Sequence, residues 1–384
     1  MGVLDGIKVI EVGGIGPAPF CGMMLADMGA DVTLVQRRTG NPDLSAADPA
    51  TMGKYAIFNR GKKSLALDLK EQDAINAVLD LVESSDALIE GFRPGVMERL
   101  GLGPDICLER NPQLVYGRVT GWGQFGPLAH AAGHDINYIA LSGALYHAGN
   151  GSEPPFAPPT LVGDLGGGAM MLLNGILAGI LNAGRTGKGQ VIDAAISDGS
   201  ALLNTLLMSF HQMGAWSNNR SDNMFDGGSP WYNSYECADG NFISVGAVES
   251  GFYRLLLKKC GLDDDPDFKQ QFDKAAWTRG KRKLEILFKT RMRSEWCELL
   301  EGTDACFAPV LNLEEAAEHP HNRDRGTFVE VDGVLQAAPA PRFSETHSTL
   351  GRPPPAPGAD SEAVLQELGY ERERIKQLCG LIDA

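Results

Sequence analysis

The sequence has no CxxC pair, no zinc-ligand spacing and an odd number of cysteines, seven in all, scattered from Cys21 to Cys379. Those absences exclude a disulfide-stapled secreted scaffold and a structural zinc module, and fit reduced thiols in a cytosol-like compartment. His319 and His321 flank Pro320 without a nearby third ligand, so the pair reads as a surface loop and no metal is expected. Positive charge is also scarce. Against 49 Asp and Glu stand 34 Lys and Arg, a formal net charge of -15, which argues against a general binder of nucleic acid or of membrane surfaces. An anionic ligand would need a local cluster of basic side chains. The longest uncharged apolar stretch, Leu165 to Ala183, contains Gly166-Gly167-Gly168 and Asn174 and directly follows Asp164. It approaches membrane-span length but reads as a buried central helix, so no membrane insertion is expected. Strand-like sequence begins by Ile7, which leaves no visible presequence, and Met1-Gly2 lacks the Ser or Thr at position six that myristoylation needs. The ending Leu381-Ile382-Asp383-Ala384 is not a peroxisomal signal. A cytoplasmic location is the expectation. No internal repeat is visible.

What is present is ordinary globular sequence, 43% apolar and 22% charged, and its 384 residues are long enough for two domains. Lys8 to Val12 reads as a buried strand, Ala18 to Met28 as a helix stopped by Gly29, and Val32 to Val35 as a second strand. This unit is Rossmann-like but fails the dinucleotide fingerprint. After Gly14 and Gly16 the third glycine position holds Pro19, and the second strand leads into Gln36-Arg37-Arg38 instead of an acid, which makes an NAD site improbable. Strand and helix patterns continue to alternate, so residues 1–200 are expected to form a large, doubly wound α/β domain. A long apolar helix from about Ser200 to Met213 and the Gly loop Asp226-Gly227-Gly228 form an expected linker over 201–229. Strands at Tyr232 to Cys237 and Asn241 to Val245, joined through Asp239-Gly240, open a small α+β domain over 230–320. Residues 321–384 read as an extended strap with a last helix at Ser361 to Leu368, returning to the large domain.

Two residues outside the charged, solvated runs attract attention. His134 lies in Gly133-His134-Asp135-Ile136-Asn137-Tyr138, and Asp164 follows thirty residues later in Gly163-Asp164-Leu165-Gly166. That separation is too long for a helix-face pair, so the fold would have to bring them together. A base and an acid converging on one carbon suit proton removal and return beside a carbonyl. By themselves the two equally describe a satisfied core His and a helix-capping Asp.

Ordered along the chain, Ile15-Gly16-Pro17, Leu67-Asp68-Leu69-Lys70, Glu90-Gly91-Phe92-Arg93-Pro94-Gly95, Thr120-Gly121-Trp122-Gly123-Gln124, Gly133 to Tyr138, Gly163-Asp164, Gly187 to Asp193, Asp226-Gly227-Gly228, Val245 to Glu249 and Thr303 to Cys306 resemble the family III CoA-transferase superfamily. The Gly-His-Asp-Ile-Asn-Tyr stretch resembles its α-methylacyl-CoA racemase branch. The resemblance spans nearly the whole chain and implies an interlocked homodimer with active sites between large and small domains. It implies racemisation of 2-methylacyl-CoA thioesters at C2 through an enolate-like species, without metal, flavin or pyridoxal phosphate, CoA being part of the substrate. His134 and Asp164 would be the acid–base pair, and Glu249 would orient His134. Arg37, Lys70 and Arg93 match contacts to CoA phosphates, with Leu67, Asp68 and Leu69, and Ser85, Asp86 and Ala87, near the nucleotide. Gly133, Asp135, Ile136, Asn137 and Tyr138 complete the expected substrate contacts. Backbone N–H groups at the helix start around Asp164 are expected to stabilise the enolate oxygen. Met170, Met171, Met208, Met213 and Met224 supply adaptable apolar side chains for an acyl pocket. The alternatives are a family III CoA-transferase using Asp164 as nucleophile, an acyl-CoA binding protein without activity and, weakly, an NADP-dependent dehydrogenase. Ser250-Gly251, where close racemases tend to have Pro-Gln, and Lys62-Lys63 depart from the pattern and leave the acyl group open.

Overall fold

The computed structural model describes residues 2–37, 49–348 and 350–380; the ending Leu381 to Ala384 lies outside them. Two compact units are formed, one from Met1–Gly143, Pro158–Leu203 and Gly326–Ala384, the other from Ala144–Ala157 and Asn204–Arg325.

In the first unit, β1 (Lys8–Val12), β2 (Asp31–Gln36), β3 (Lys63–Ala66), β4 (Ala87–Glu90), β5 (Val115–Thr120) and β6 (Gln190–Ala195) make one sheet. The order is β3-β2-β1-β4-β5-β6 and every pairing is parallel, the doubly wound arrangement expected. Parallel strands are covered on both faces and therefore read as apolar runs. In β1, Ile10 and Val12 join Leu65, Leu88 and Tyr116 under the helix Gln72–Glu83 and the C-terminal residues Val364 and Leu378. Val9 joins Val32, Ile89 and Val115 on the other face, under the helices Pro17–Asp27 and Met170–Thr186. Each fully buried aliphatic side chain in these layers contributes about 1.5–3 kcal/mol.

One position in β1 breaks the apolar pattern. Glu11 is fully buried, and its partner is Lys62, equally buried, with Nζ 2.6 Å from Oε2. Burial raises the Glu11 pKa and lowers that of Lys62, while each pulls the other back. A second buried pair, Arg60 with Asp27, also holds Gln336 Oε1 and the Ala337 carbonyl, tying the hairpin β10 (Phe328–Val331) and β11 (Val334–Ala337) to the end of helix Pro17–Asp27 within this unit.

The second unit has the antiparallel sheet β7 (Tyr232–Glu236), β8 (Phe242–Gly246) and β9 (Phe307–Val310). The first turn closes at Gly240, whose φ of 76° is a conformation glycine adopts without strain. Trp231, Trp277, Trp296 and Phe288 fill its core, backed by the helices Ser250–Cys260, Lys274–Phe288 and Arg293–Leu300.

Several elements differ from expectation. The helix expected from Ser200 to Met213 is two helices, Ile196–Leu203 and Thr205–Gln212, broken at Asn204. The helix Ser361–Glu367 is followed by another, Arg372–Leu378. The apolar stretch expected to be a buried helix begins as a π-helix, Leu161–Ala169, and continues as the α-helix Met170–Thr186. Only 39% of its most apolar window is buried. Adjacent Gly166, Gly167 and Gly168 read as helix interior by composition, but their missing side chains permit the wider i→i+5 turn.

Candidate active site

Ligands of open parallel sheets bind beyond the carboxyl ends of the strands, where the strand order reverses. Here that point lies between β1 and β4, and the loops leaving this edge carry most of the expected residues. Arg37 follows β2, Leu67 to Lys70 follow β3, and Arg93 follows β4. Leu67 is itself a core residue whose N–H donates to the Gln36 carbonyl at 3.0 Å, so its side chain is not offered to a ligand. Asp68 Oδ1 accepts from the Lys70 N–H at 3.1 Å. Arg37, Lys70 and Arg93 are exposed and make no ion pair among the described residues. The structure does not bring Ser85, Asp86 and Ala87 to this edge. They sit at the start of β4, where Ser85 Oγ donates to the Leu81 carbonyl, Asp86 Oδ2 accepts from the Lys8 N–H at 2.8 Å, and Ala87 is fully buried. They hold the end of the sheet opposite to the edge that carries Arg37, Lys70 and Arg93.

The loop bearing Arg93 is braced from beneath. Glu90, fully buried, accepts from the Phe92 N–H at 2.7 Å and from Arg118 Nε at 2.8 Å, while Arg118 Nη1 donates to Glu98. The turn after β5 is pinned likewise, Thr120 Oγ1 accepting from the Gly123 N–H and Asp193 Oδ2 from the Gln124 N–H, each at 3.0 Å. Glu90 and Asp193 already stand in the matched motifs, but the sequence does not pair them with Arg118 and Gln124, because those contacts cross 28 and 69 residues.

That turn leads to His134, the exposed residue before the short helix Asp135–Leu141. Asn137 Oδ1 accepts from the His134 N–H at 3.0 Å. Tyr138, packed edge-on against Trp122 at 4.8 Å, donates its hydroxyl to the Gly133 carbonyl. Asn137 and Tyr138, expected as substrate contacts, thus shape the loop with their side chains, whereas Ile136 is 45% exposed. Asp135 turns inward: its Oδ1 accepts from the N–H groups of Gly163 and Asp164, each at 2.9 Å. Two of the backbone donors at the start of the π-helix are thus engaged by a carboxylate.

Asp164 stands in the first turn of that π-helix, with its carboxyl facing Gly16 at the entrance to helix Pro17–Asp27; a Cβ on Gly16 would lie 3.4 Å from Oδ2. Its pKa is pushed up to about 6, first by burial and then by the charge of Asp135, while His134 pulls it down. The structure therefore brings His134 and Asp164 within electrostatic reach of each other. The Tyr138 hydroxyl is shifted upward by burial and then by the Asp164 charge, against the pull of Arg93.

The second unit is distinct. Glu249 is exposed there and precedes the helix Ser250–Cys260. Its charge adds to burial in raising the pKa of Cys306. Cys306, Asp226, Gly227, Tyr232 and Lys281 line an open cleft of about 870 Å³ in this unit, which includes neither His134 nor Asp164. Of the methionines, Met208 and Met213 are more than half exposed and Met224 lies against the core.

The profile of CoA-transferase family III matches residues 4–361. The chain belongs to that family. Within reach of the family III chain are the α-methylacyl-CoA racemase of Mus musculus, 42% identical over 381 residues covering 98% of this chain and 96% of the relative, and that of Homo sapiens, 42% identical over 377 residues with the same coverage. Among solved structures, a CAIB/BAIF family protein from Brucella suis superposes with a TM-score of 0.79 at 25% identity, covering 96% of this chain and 99% of the other. Family III chains thus share the fold described above.

Proposed function

We propose that this chain is an α-methylacyl-CoA racemase, interconverting (R)- and (S)-2-methylacyl-CoA thioesters by 1,1-proton transfer. The observation that carries the mechanism is the meeting of His134 with an Asp164 carboxyl whose pKa is pushed up to about 6. The thioester carbonyl acidifies the proton on C2. For one epimer, neutral His134 takes that proton and protonated Asp164 supplies one to the opposite face of the planar enolate. For the other epimer, the Asp164 carboxylate takes the proton and protonated His134 returns one. Both arrangements hold a single proton on the pair, so they are one titration state of a coupled system. An Asp with an ordinary carboxylate pKa would hold that proton about a thousandth of the time at neutral pH, whereas a pKa of about 6 raises this to about a tenth.

Arg37, Lys70 and Arg93, three cations along one sheet edge that make no ion pair among the described residues, support binding of the CoA phosphates there. The proposed enzyme needs no further cofactor. A homodimer is supported by the helix Thr205–Gln212, which buries no residue while exposing Leu206 and Met208, and by the exposed Leu202 and Leu203 that precede it. Eight residues cannot sustain a helix alone in water, so a second copy is the proposed cover. Seven scattered cysteines, without CxxC or zinc spacing, support a reducing, cytosol-like compartment.

Deuterium wash-in at C2 of single epimers of 2-methylacyl-CoA in D2O tests the reading. Wild type is expected to exchange and epimerise both, with His134→Ala and Asp164→Ala slowed by about 10²–10⁴ or exchanging one epimer only. Absence of exchange by folded wild type across several chain lengths overturns it. A covalent acyl adduct on Asp164 would point instead to CoA transfer.

A further inference from the structure

A carboxyl in the first turn of a helix ordinarily meets backbone N–H groups, and these favour its anion. In the π-helix Leu161–Ala169 two such groups, the N–H of Gly163 and of Asp164 itself, donate to Asp135 Oδ1 at 2.9 Å each. The next, that of Leu165, donates to the Thr160 carbonyl at 3.0 Å. The approach of Asp135 is close enough to require glycine at 163, where a Cβ would stand 2.4 Å from Oδ1.

We infer that Asp135 is a positioning residue for proton transfer at Asp164, engaging the N–H donors of that turn and setting a like charge beside it, which favours the protonated Asp164 carboxyl. The inference rests on reading Asp164 as an acid–base group. The charged groups bearing on Asp164 are few. From the segment His134 to Leu141 come Asp135, which raises its pKa, and His134, which lowers it; Tyr138 and Arg93 stand behind. The helix Pro17–Asp27 faces it with uncharged Gly16 and Pro17. The helix Ile196–Leu203 packs on the π-helix through Gly199 and Ser200, its Asp198 being exposed. Adjacent residues in the chain, His134 and Asp135, therefore pull the Asp164 equilibrium in opposite directions. Burial remains the larger cause of the upward shift.

Asp135→Asn separates charge from geometry, because its amide oxygen still accepts both N–H groups. A carboxyl ¹³C NMR titration of the full-length protein, with the Asp164 signal assigned by its loss in Asp164→Asn, reads the proton directly. The midpoint is expected to fall in Asp135→Asn from about 6 toward, without reaching, the ordinary 3.8. The acid limb of kcat/KM for racemisation is expected to move down by the same amount, a shift that a merely structural defect does not produce. If Asp135→Asn does not fold, Asp135→Ser retains an uncharged acceptor for the same titration. An unmoved midpoint in a variant that folds overturns the role of Asp135 while leaving the racemase standing. Failure of wild type to exchange at C2 would remove the racemase reading, and the NMR midpoint would still report on Asp135.

Discussion

Asp164 shows how environment can outweigh position. The start of a helix favours a carboxylate anion, yet this carboxyl is shifted upward, because partial burial and the neighbouring Asp135 outweigh His134. The sign for stability follows from linkage. The folded pKa lies above the unfolded 3.8, so the native state binds the proton more tightly than the unfolded chain. The resulting loss of stability is absent below 3.8, grows as pH rises, and is complete above about 6. Asp164→Asn removes the ionisation. It is expected to be more stable than wild type at pH 7 by about 1 kcal/mol, discounted for solvent screening, and equal to it near pH 4. Urea midpoints at the two pH values check this, and a difference independent of pH would contradict it.

At the scale of elements, the first unit depends on buried charge more than its apolar strands imply. Glu11 in the centre of β1 and Lys62 before β3 are fully buried together. Removing one partner of such a pair strands the other's charge and costs about 3–5 kcal/mol, whereas replacing both is far milder. Lys62→Met is therefore expected to lower urea stability by that amount, and Glu11→Gln combined with Lys62→Met to recover most of it. Equal losses for the single and double variants would show that packing around helix Pro17–Asp27, not charge, sets the cost. The departure of Lys62 from the racemase pattern thus has a structural account: it neutralises a carboxylate inside the sheet.

For the whole molecule, the apolar surface of the helices Ile196–Leu203 and Thr205–Gln212 is the feature a single chain leaves unexplained. The double change Leu206→Asp with Met213→Asp, at positions 58% and 76% exposed, removes no core contact. It is expected to convert a dimer to monomer in sedimentation at micromolar protein and to abolish racemisation with it. A variant that sediments as wild type would remove the support this surface gives to a homodimer.

The sequence by itself determined the strand–helix alternation of the first unit, the hairpin through Asp239-Gly240 and the family, because each rests on local periodicity or on ordered motifs. It also marked His134 and Asp164 as a pair to watch. Tertiary structure alone brought His134 within electrostatic reach of Asp164 and gave Asp135 the N–H groups of Gly163 and Asp164. It likewise placed Ser85 to Ala87 at the far end of the sheet and matched Glu11 with Lys62. The π-helix was illegible for a related reason: three glycines in an apolar run have the composition of an ordinary helix, and only packing chooses the wider turn. Periodicity reports which face a residue presents, whereas a hydrogen bond across 28 or 29 residues, or a charge answered across the sheet, exists only once distant segments share a place.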